Sequence, residues 1–387
     1  MTVSGFLFLF IGIIVTSVFS LKRKMDSFLL PWILFLYHLL FSLIYWRYSL
    51  TNVADSTNYY KNIEMPVSFA VGTDFLKWFL NKLHIIFNAS YLDYFILFQL
   101  FGFLGFCFLY MTLKELLPKN STKLLNRIIL VFLFLPNLHF WTSAIGKDSL
   151  IFGSITLTIW SLLNFHRRIF ALIIGLGVTY LVRPHVAGFL LAAIFLALIW
   201  GRGLTLRWRL IGTIVVSIVF VIVLPKISKF VGIETLSTES VSDYLYKRQG
   251  YNLSGGSSVD IRNYNFPAKV FTFLYRPLFL DARGILWLIV SIENLFYLII
   301  TGYSFSPKVW TLLWKYRISF FIRFNLFFFL SGVVIFSLSI SNMGIAIRQK
   351  TMLIPSLFFL VLSVFVMRQY YSESPTDPIV VEPNSEK

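Results

Sequence analysis

The sequence predicts an all-α protein: a polytopic transmembrane helix bundle of about eleven spans. Three observations predict it. Of 387 residues, 57% are hydrophobic and only 13% are charged, whereas a soluble domain carries about 25% charged residues. A spanning helix needs roughly 20 apolar residues at about 1.5 Å each, and eleven apolar runs recur along the chain. Lys and Arg then mark every second connection between those runs, the pattern that fixes orientation in a membrane.

The runs are 3–20, 27–46, 91–113, 126–140, 148–165, 169–182, 184–200, 208–224, 284–301, 319–340 and 351–367. The first has no basic residues ahead of it, and Lys22, Arg23 and Lys24 follow it. That order reads as a signal anchor with an outer N-terminus, not as a cleaved leader. The runs 126–140 and 169–182 are short, so each is a half-membrane helix or a boundary sunk below the interface. Inside connections then hold Lys114, Lys119, Lys123 and Arg127; Arg167 and Arg168; Arg202, Arg207 and Arg209; and Lys308, Lys315, Arg317 and Arg323. The outer connections are 47–90, 141–147, the turn at 183, 225–283 and 341–350. These mix bases with acids, Tyr, Trp and Gly, while the inner ones are short and basic. Chemistry needs diversity and anchoring needs only charge, so the working face is expected to be extracytoplasmic.

Residues 1–371 read as one transmembrane domain, with outer loops 47–90 and 225–283. Residues 372–387, polar and Pro-rich, read as a disordered cytoplasmic tail. Residues 72–88 have apolar side chains at helical spacing, with Asp74, Lys77, Asn81 and Lys82 opposite. This is an amphipathic helix that either lies on the outer interface or packs on the bundle. The Gly-Gly-Ser stretch at 255–257 reads as a mobile lid.

The formal charge is +17. On a soluble protein that would indicate nucleic acid; here it indicates loop anchoring and an anionic substrate, with no nucleic-acid partner. Cys107 is the single cysteine, which excludes an intrachain disulfide. The chain has no Walker loop, GxGxxG, GxSxG or HExxH, and its five His show no ligand spacing. No cofactor and no metal are expected.

"FWTSAIGKDSLIF" (140–152) places Lys147 and Asp148 at the start of an apolar helix. Asp148 either caps that helix or acts in chemistry. Lys147 either snorkels to headgroups or joins the helix amides in holding a phosphate. Trp141 either anchors at the interface or offers a flat face to a sugar. "LVRPHVAG" (181–188) repeats the design with Arg183, Pro184 and His185. Arg183 either snorkels or forks onto a pyrophosphate, and His185 either carries a proton or is a neutral hydrogen bonder. Arg276 precedes Pro277 in the same way, while Asp281 and Arg283 read as a pair. Arg348, with Gln349 and Lys350, opens the final helix. Lys147, Arg183, Arg276 and Arg348 thus lie at outer ends of different helices, and convergence on one anion is the economical reading. In "RYSLTNVADSTNYYKN" (47–62), Asp55 is followed by Tyr59 and Tyr60. A carboxylate beside aromatic rings suits proton abstraction from a sugar hydroxyl; a plain Asx turn is the alternative. Glu293 lies about 13 Å along its helix from Gly284 at 1.5 Å per residue, and an ionisable group at such depth is a functional candidate. A protonated Glu bonded to a neighbouring helix is the other reading.

These features resemble bacterial polysaccharide polymerases of the Wzy and EpsG type, among the multi-spanning glycosyltransferases that use lipid-linked sugars. Arg47, Asp55, Tyr59 and Tyr60 are similar to the early "Arg … Asp-x-x-x-Tyr" of the EpsG-like group. The resemblance implies a bacterial inner (plasma) membrane enzyme extending an exopolysaccharide or O-antigen. The donor would be an undecaprenyl-pyrophosphate-linked glycan, and the partners membrane lipid and other polysaccharide-assembly proteins. The proton acceptor would be Asp55, or else Asp148 or Glu293. A flippase or exporter of lipid-linked oligosaccharide is the reading from a different class.

Overall fold

The computed structural model describes residues 1–21, 27–117, 121–200, 205–232, 237–251, 253, 256–282, 284–304 and 319–373. Lys22–Lys24, Lys119, Arg202, Arg283, Lys308, Lys315 and Arg317 lie outside them, as does the tail reading beyond Glu373. The fold is all-α. Seven helices are long and apolar enough to cross a membrane, or eight if a pair bent by 60° counts as one span.

The chain divides into two compact units, Met1–Pro184 and His185–Lys387. The first contains α1 (Val3–Leu21), α2 (Leu30–Thr51), α3 (Asp55–Lys61), α4 (Thr73–Phe87) and α5 (Tyr91–Leu116). It continues with α6 (Lys123–Leu133), α7 (Pro136–Thr142), α8 (Lys147–Leu163) and α9 (Ile169–Val182). The hub is α5, which packs against α1, α2 and α8, while α8 lies between α5 and α9. Between helices in lipid there is little hydrophobic gain, so close van der Waals contact holds them together. The sequence supplies small residues for this. A Cβ on Gly153 of α8 would stand 2.6 Å from the Phe101 carbonyl of α5, and one on Gly175 of α9 would stand 2.4 Å from Thr158 of α8. Ser154 and Thr179 join α8 to α9 by a hydroxyl–hydroxyl bond of 2.9 Å.

The start of α5 is capped by Ser90 and Asp93 in a reciprocal box. Asp93 is fully buried but satisfied: it also accepts from Thr2 N at 3.2 Å and Thr2 Oγ1 at 2.6 Å, which ties α1 to α5. Pro136 separates α6 from α7 and occupies the first turn of α7, where a missing N–H costs nothing.

The second unit contains α10 (Pro184–Ile199), α11 (Leu206–Val231), α12 (Thr238–Tyr251) and α13 (Phe266–Tyr275). It ends with α14 (Ile285–Ser304), α15 (Phe320–Ser339), α16 (Met343–Lys350) and α17 (Ile354–Glu373). Here α13 packs on α14, α15 and α16, and α17 packs on α14 and α15.

All eleven predicted runs are helical in the described residues, but the expected spans are not all full spans. The helices α8, α9 and α10 have 17, 14 and 16 residues. At about 1.5 Å per residue they reach roughly 21–26 Å, short of a hydrocarbon core of about 30 Å. The predicted loops are also largely helical. Within 47–90 lie the end of α2, α3 and α4; within 225–283 lie the end of α11, α12 and α13.

The amphipathic stretch 72–88 forms α4, with Leu76 and Leu80 buried and Ile85 and Ile86 exposed. The lid reading at 255–257 is corrected at its described end. Ser257 Oγ bonds Asn342 Oδ1 at 2.8 Å, Met343 N donates to Ser257 O at 2.9 Å, and Val259 N donates to Ser341 O at 2.8 Å. A segment carrying three such bonds is pinned to the start of α16; Gly255 lies outside the described residues.

Candidate functional site

In the first unit, one set of contacts links Lys147, Asp148 and Arg183 across α4, α8 and the end of α9, a second holds Trp141 against α2, and a third docks Tyr60 on Tyr91 of α5. Trp141 of α7 bonds Asn137 through its indole N–H at 3.1 Å and meets Tyr45 of α2, ring centroids 5.9 Å apart. Six residues on, Lys147 opens α8 and donates to Thr73 Oγ1 at 2.7 Å, at the first residue of α4. Just before α4, Gly72 takes φ 88°, which L side chains resist, and its N–H donates to the Leu181 carbonyl near the end of α9 at 2.7 Å. Arg183, one residue past α9, closes the circuit by an ion pair from its NH2 to Asp148 Oδ1. Both side chains are 6% exposed. Lys147 is half-buried.

Asp55 begins α3 and is exposed. The residues after it dock α3 on Tyr91 of α5. Tyr91 O–H donates to Ser56 Oγ at 3.0 Å, and the Tyr60 and Tyr91 rings lie 4.9 Å apart. Thr57 Oγ1 donates to the Ser49 carbonyl at the end of α2 at 3.1 Å. Burial raises the Tyr60 phenol above its ordinary value, so it stays a neutral ring at physiological pH. Tyr59 is half-buried beside it.

The other four candidates belong to the second unit. His185 meets Phe189, with centroids 6.1 Å apart. Arg348 is half-buried, and its carbonyl caps the Thr351 hydroxyl at 2.7 Å. Arg276 grips Asp281 with two bonds, 3.0 Å from Nε and 2.5 Å from NH2. The expected Asp281–Arg283 pairing falls on Arg283, outside the described residues; within them, the short 3₁₀ turn at Phe279–Asp281 folds the carboxylate back onto Arg276. That guanidinium holds the Asp281 carboxyl below the usual carboxylate range.

Glu293, 3% exposed, lies within electrostatic reach of Lys350. Lys350 itself is 1% exposed and corrects the expectation of an outward cation. Because α16 ends at Lys350 and the chain turns through 351–353 before α17, the ammonium points inward. It donates to Asn294 Oδ1 at 2.5 Å and the Leu274 carbonyl at 3.1 Å. Asn294 also donates to the Pro277 carbonyl at 2.8 Å.

The four cations expected to converge thus fall two to a unit: Lys147 and Arg183 in the first, Arg276 and Arg348 in the second. Sequence reasoning missed Thr73, Ser56, Tyr91 and Lys350 as partners. Only the helical spacing of Ser56 and Tyr60 on one face of α3 signalled any of them. Among the described residues, no group of three or more His, Cys, Asp or Glu gathers as metal ligands do. Comparison with protein-family models, characterised proteins and solved structures finds no match.

Proposed function

We propose that this chain is a membrane glycosyltransferase of the polysaccharide-polymerase kind, joining lipid-pyrophosphate-linked glycan units on the extracytoplasmic face. In this reading the N-terminus is outside, the C-terminus is cytoplasmic, and the three short helices complete about eleven passes. One observation carries the proposal: Lys147, at the first turn of α8 and 2.7 Å from Thr73, stands next in sequence to the buried Asp148–Arg183 pair. A lipid pyrophosphate has its charge at the interface and its tail in the bilayer, which matches cations at helix ends beside an apolar bundle.

The roles follow from the surroundings. Lys147 and the first amides of α8 hold the pyrophosphate and stabilise it as it leaves. Asp148, engaged by Arg183, serves as a positioning residue that sets the direction of the guanidinium. Asp55 is exposed and takes the role of base. The acceptor hydroxyl attacks the anomeric carbon of the donor, and the bond from that carbon to pyrophosphate oxygen breaks. The electron pair leaves with the lipid pyrophosphate, and the hydroxyl proton passes to Asp55. Trp141, Tyr59 and Tyr60 supply flat faces for sugar rings.

The test is purified full-length protein in detergent with a lipid-linked repeat unit. Longer glycan is the expected product, and Asp55→Asn is expected to abolish it while the protein still inserts. Polymer of normal length from Asp55→Asn removes that residue from the mechanism.

The second reading, a flippase or exporter, is favoured by the 60° break between α16 and α17 next to buried Lys350 and Glu293. Broken helices with buried charge recur at transporter sites. Detergent separates the two readings, because transport cannot lengthen a glycan where no membrane divides two compartments.

A further inference from the structure

His38 on α2 and His139 on α7 face one another inside the first unit, both fully buried. Their Nδ1 atoms are 2.8 Å apart. Nε2 of His139 is 2.6 Å from the Leu133 carbonyl oxygen. Nε2 of His38 lies beside the Thr142 carbonyl: a Cβ on Gly102 of α5 would be 2.5 Å from that nitrogen and 2.1 Å from that oxygen. No group in the described residues donates to this nitrogen.

Counting hydrogens gives these distances a chemical meaning. A carbonyl only accepts, so His139 Nε2 carries a hydrogen. In a neutral imidazole the other nitrogen is then a bare acceptor. His139 Nδ1 therefore accepts and His38 Nδ1 donates. His38 Nε2 is left as a lone pair beside a carbonyl oxygen, an arrangement that repels. One more proton on His38 Nε2 turns that repulsion into a bond. The pair then has three hydrogens for three acceptors: Leu133 O, the Nδ1–Nδ1 contact and Thr142 O.

The surroundings also suit a delocalised cation. Phe106 stacks on His139 with centroids 3.9 Å apart and planes 4° apart, and an aromatic face attracts positive charge. Tyr37 is the titratable neighbour facing the pair; its ring meets His139 edge-on at 4.8 Å, and its hydroxyl donates to the Phe134 carbonyl at 2.9 Å. No Asp, Glu, Lys or Arg in the described residues acts on either ring. The apolar bundle opposes the added charge, so occupancy depends on the proton activity outside.

We infer that the His38–His139 pair is a proton-binding site, taking one proton from water at His38 Nε2 to become a single imidazole–imidazolium unit that shares a hydrogen between its Nδ1 atoms. The short helix α7 carries both His139 and Trp141, so the proton acts on the segment that leads to Lys147.

The experiment uses the full chain in lipid nanodiscs with ¹⁵N-labelled imidazoles, titrated by NMR from about pH 8 to about pH 4, the range in which His changes charge. His38→Asn and His139→Asn assign the two rings among five His. One concerted uptake of a single proton is expected, with a ¹⁵N–¹⁵N coupling across the Nδ1 contact that either variant abolishes. Independent titration of the rings, absence of titration, or absence of the coupling overturns the inference. Phe106→Leu provides a check that keeps the pair intact. Its midpoint is expected to move to lower pH, and an unmoved midpoint overturns the shared charge.

Discussion

Arg183 and Arg276 each precede a proline, and each is neutralised by an aspartate, but by different routes. Arg183 reaches across 35 positions to Asp148 on another helix, and both side chains are 6% exposed. Arg276 reaches five positions to Asp281 on its own connecting turn, where the two side chains are 25% and 14% exposed. The first pair fixes the end of α9 against the start of α8; the second closes a local turn. A repeated dipeptide therefore specifies a cation at a helix end, and the fold decides whether that cation is a long-range clamp or a local clasp.

The difference can be broken at several points. The largest effect is expected from Arg183→Ala or Asp148→Ala, since removing one member of a buried pair strands the other charge at a cost of about 3–5 kcal/mol. Thermal unfolding in detergent measures it. The double substitution Asp148→Leu with Arg183→Met is expected to recover most of that stability while leaving polymerisation lost. Recovery of polymerisation as well would reduce the pair to scaffolding.

Next comes Lys147→Ala, expected to lower turnover by roughly 10²-fold, the scale for removing one donor to a developing anion. Initial rates with the lipid-linked donor test it, and Lys147→Arg is expected to retain most of the activity. Smaller still is Arg276→Ala. A partly exposed local pair contributes about 0.2–1 kcal/mol, so a double-mutant cycle with Asp281→Ala is expected to give a coupling in that range. A larger coupling would place the two pairs in one class.

The smallest effect is in the pH dependence. The Asp281 carboxyl is held below its ordinary value by Arg276. Its contribution is therefore complete above the unfolded carboxylate value of about 4 and fades as the pH falls through the lower folded value. Unfolding midpoints of wild type and Asp281→Asn should converge on acidification, and a constant gap would rule this linkage out.

The helices were legible because hydrophobic length and proline placement are local properties. So was the cation at each Arg-Pro step. What stayed hidden was partnership. Asp148 was visible as a helix-start carboxylate, yet nothing near it in sequence points to Arg183. Lys350 was read with its neighbours Arg348 and Gln349 as facing outward, but the break after it turns it toward Asn294, 56 positions earlier. His38 and His139, 101 positions apart, showed no ligand spacing because they bind each other. Span length was hidden for a related reason: α8, α9 and α10 are apolar throughout, but their ends are set by turns that hydropathy does not report, and they come out at 17, 14 and 16 residues.

One helix stands apart in how it meets its surroundings. In the membrane-length window Leu206–Ser228 of α11, no residue is buried. Away from its contacts with α10 at Gly212 and Ile227, such a helix in a bilayer would meet fatty-acyl tails, which have no fixed shape, so Leu, Ile, Val and Phe could replace one another there at little cost. A single aspartate at its middle would still be rejected, at about 2.5–3.5 kcal/mol on insertion scales. This segment is thus the place where descendants of the chain can drift furthest in spelling while keeping the same physical meaning.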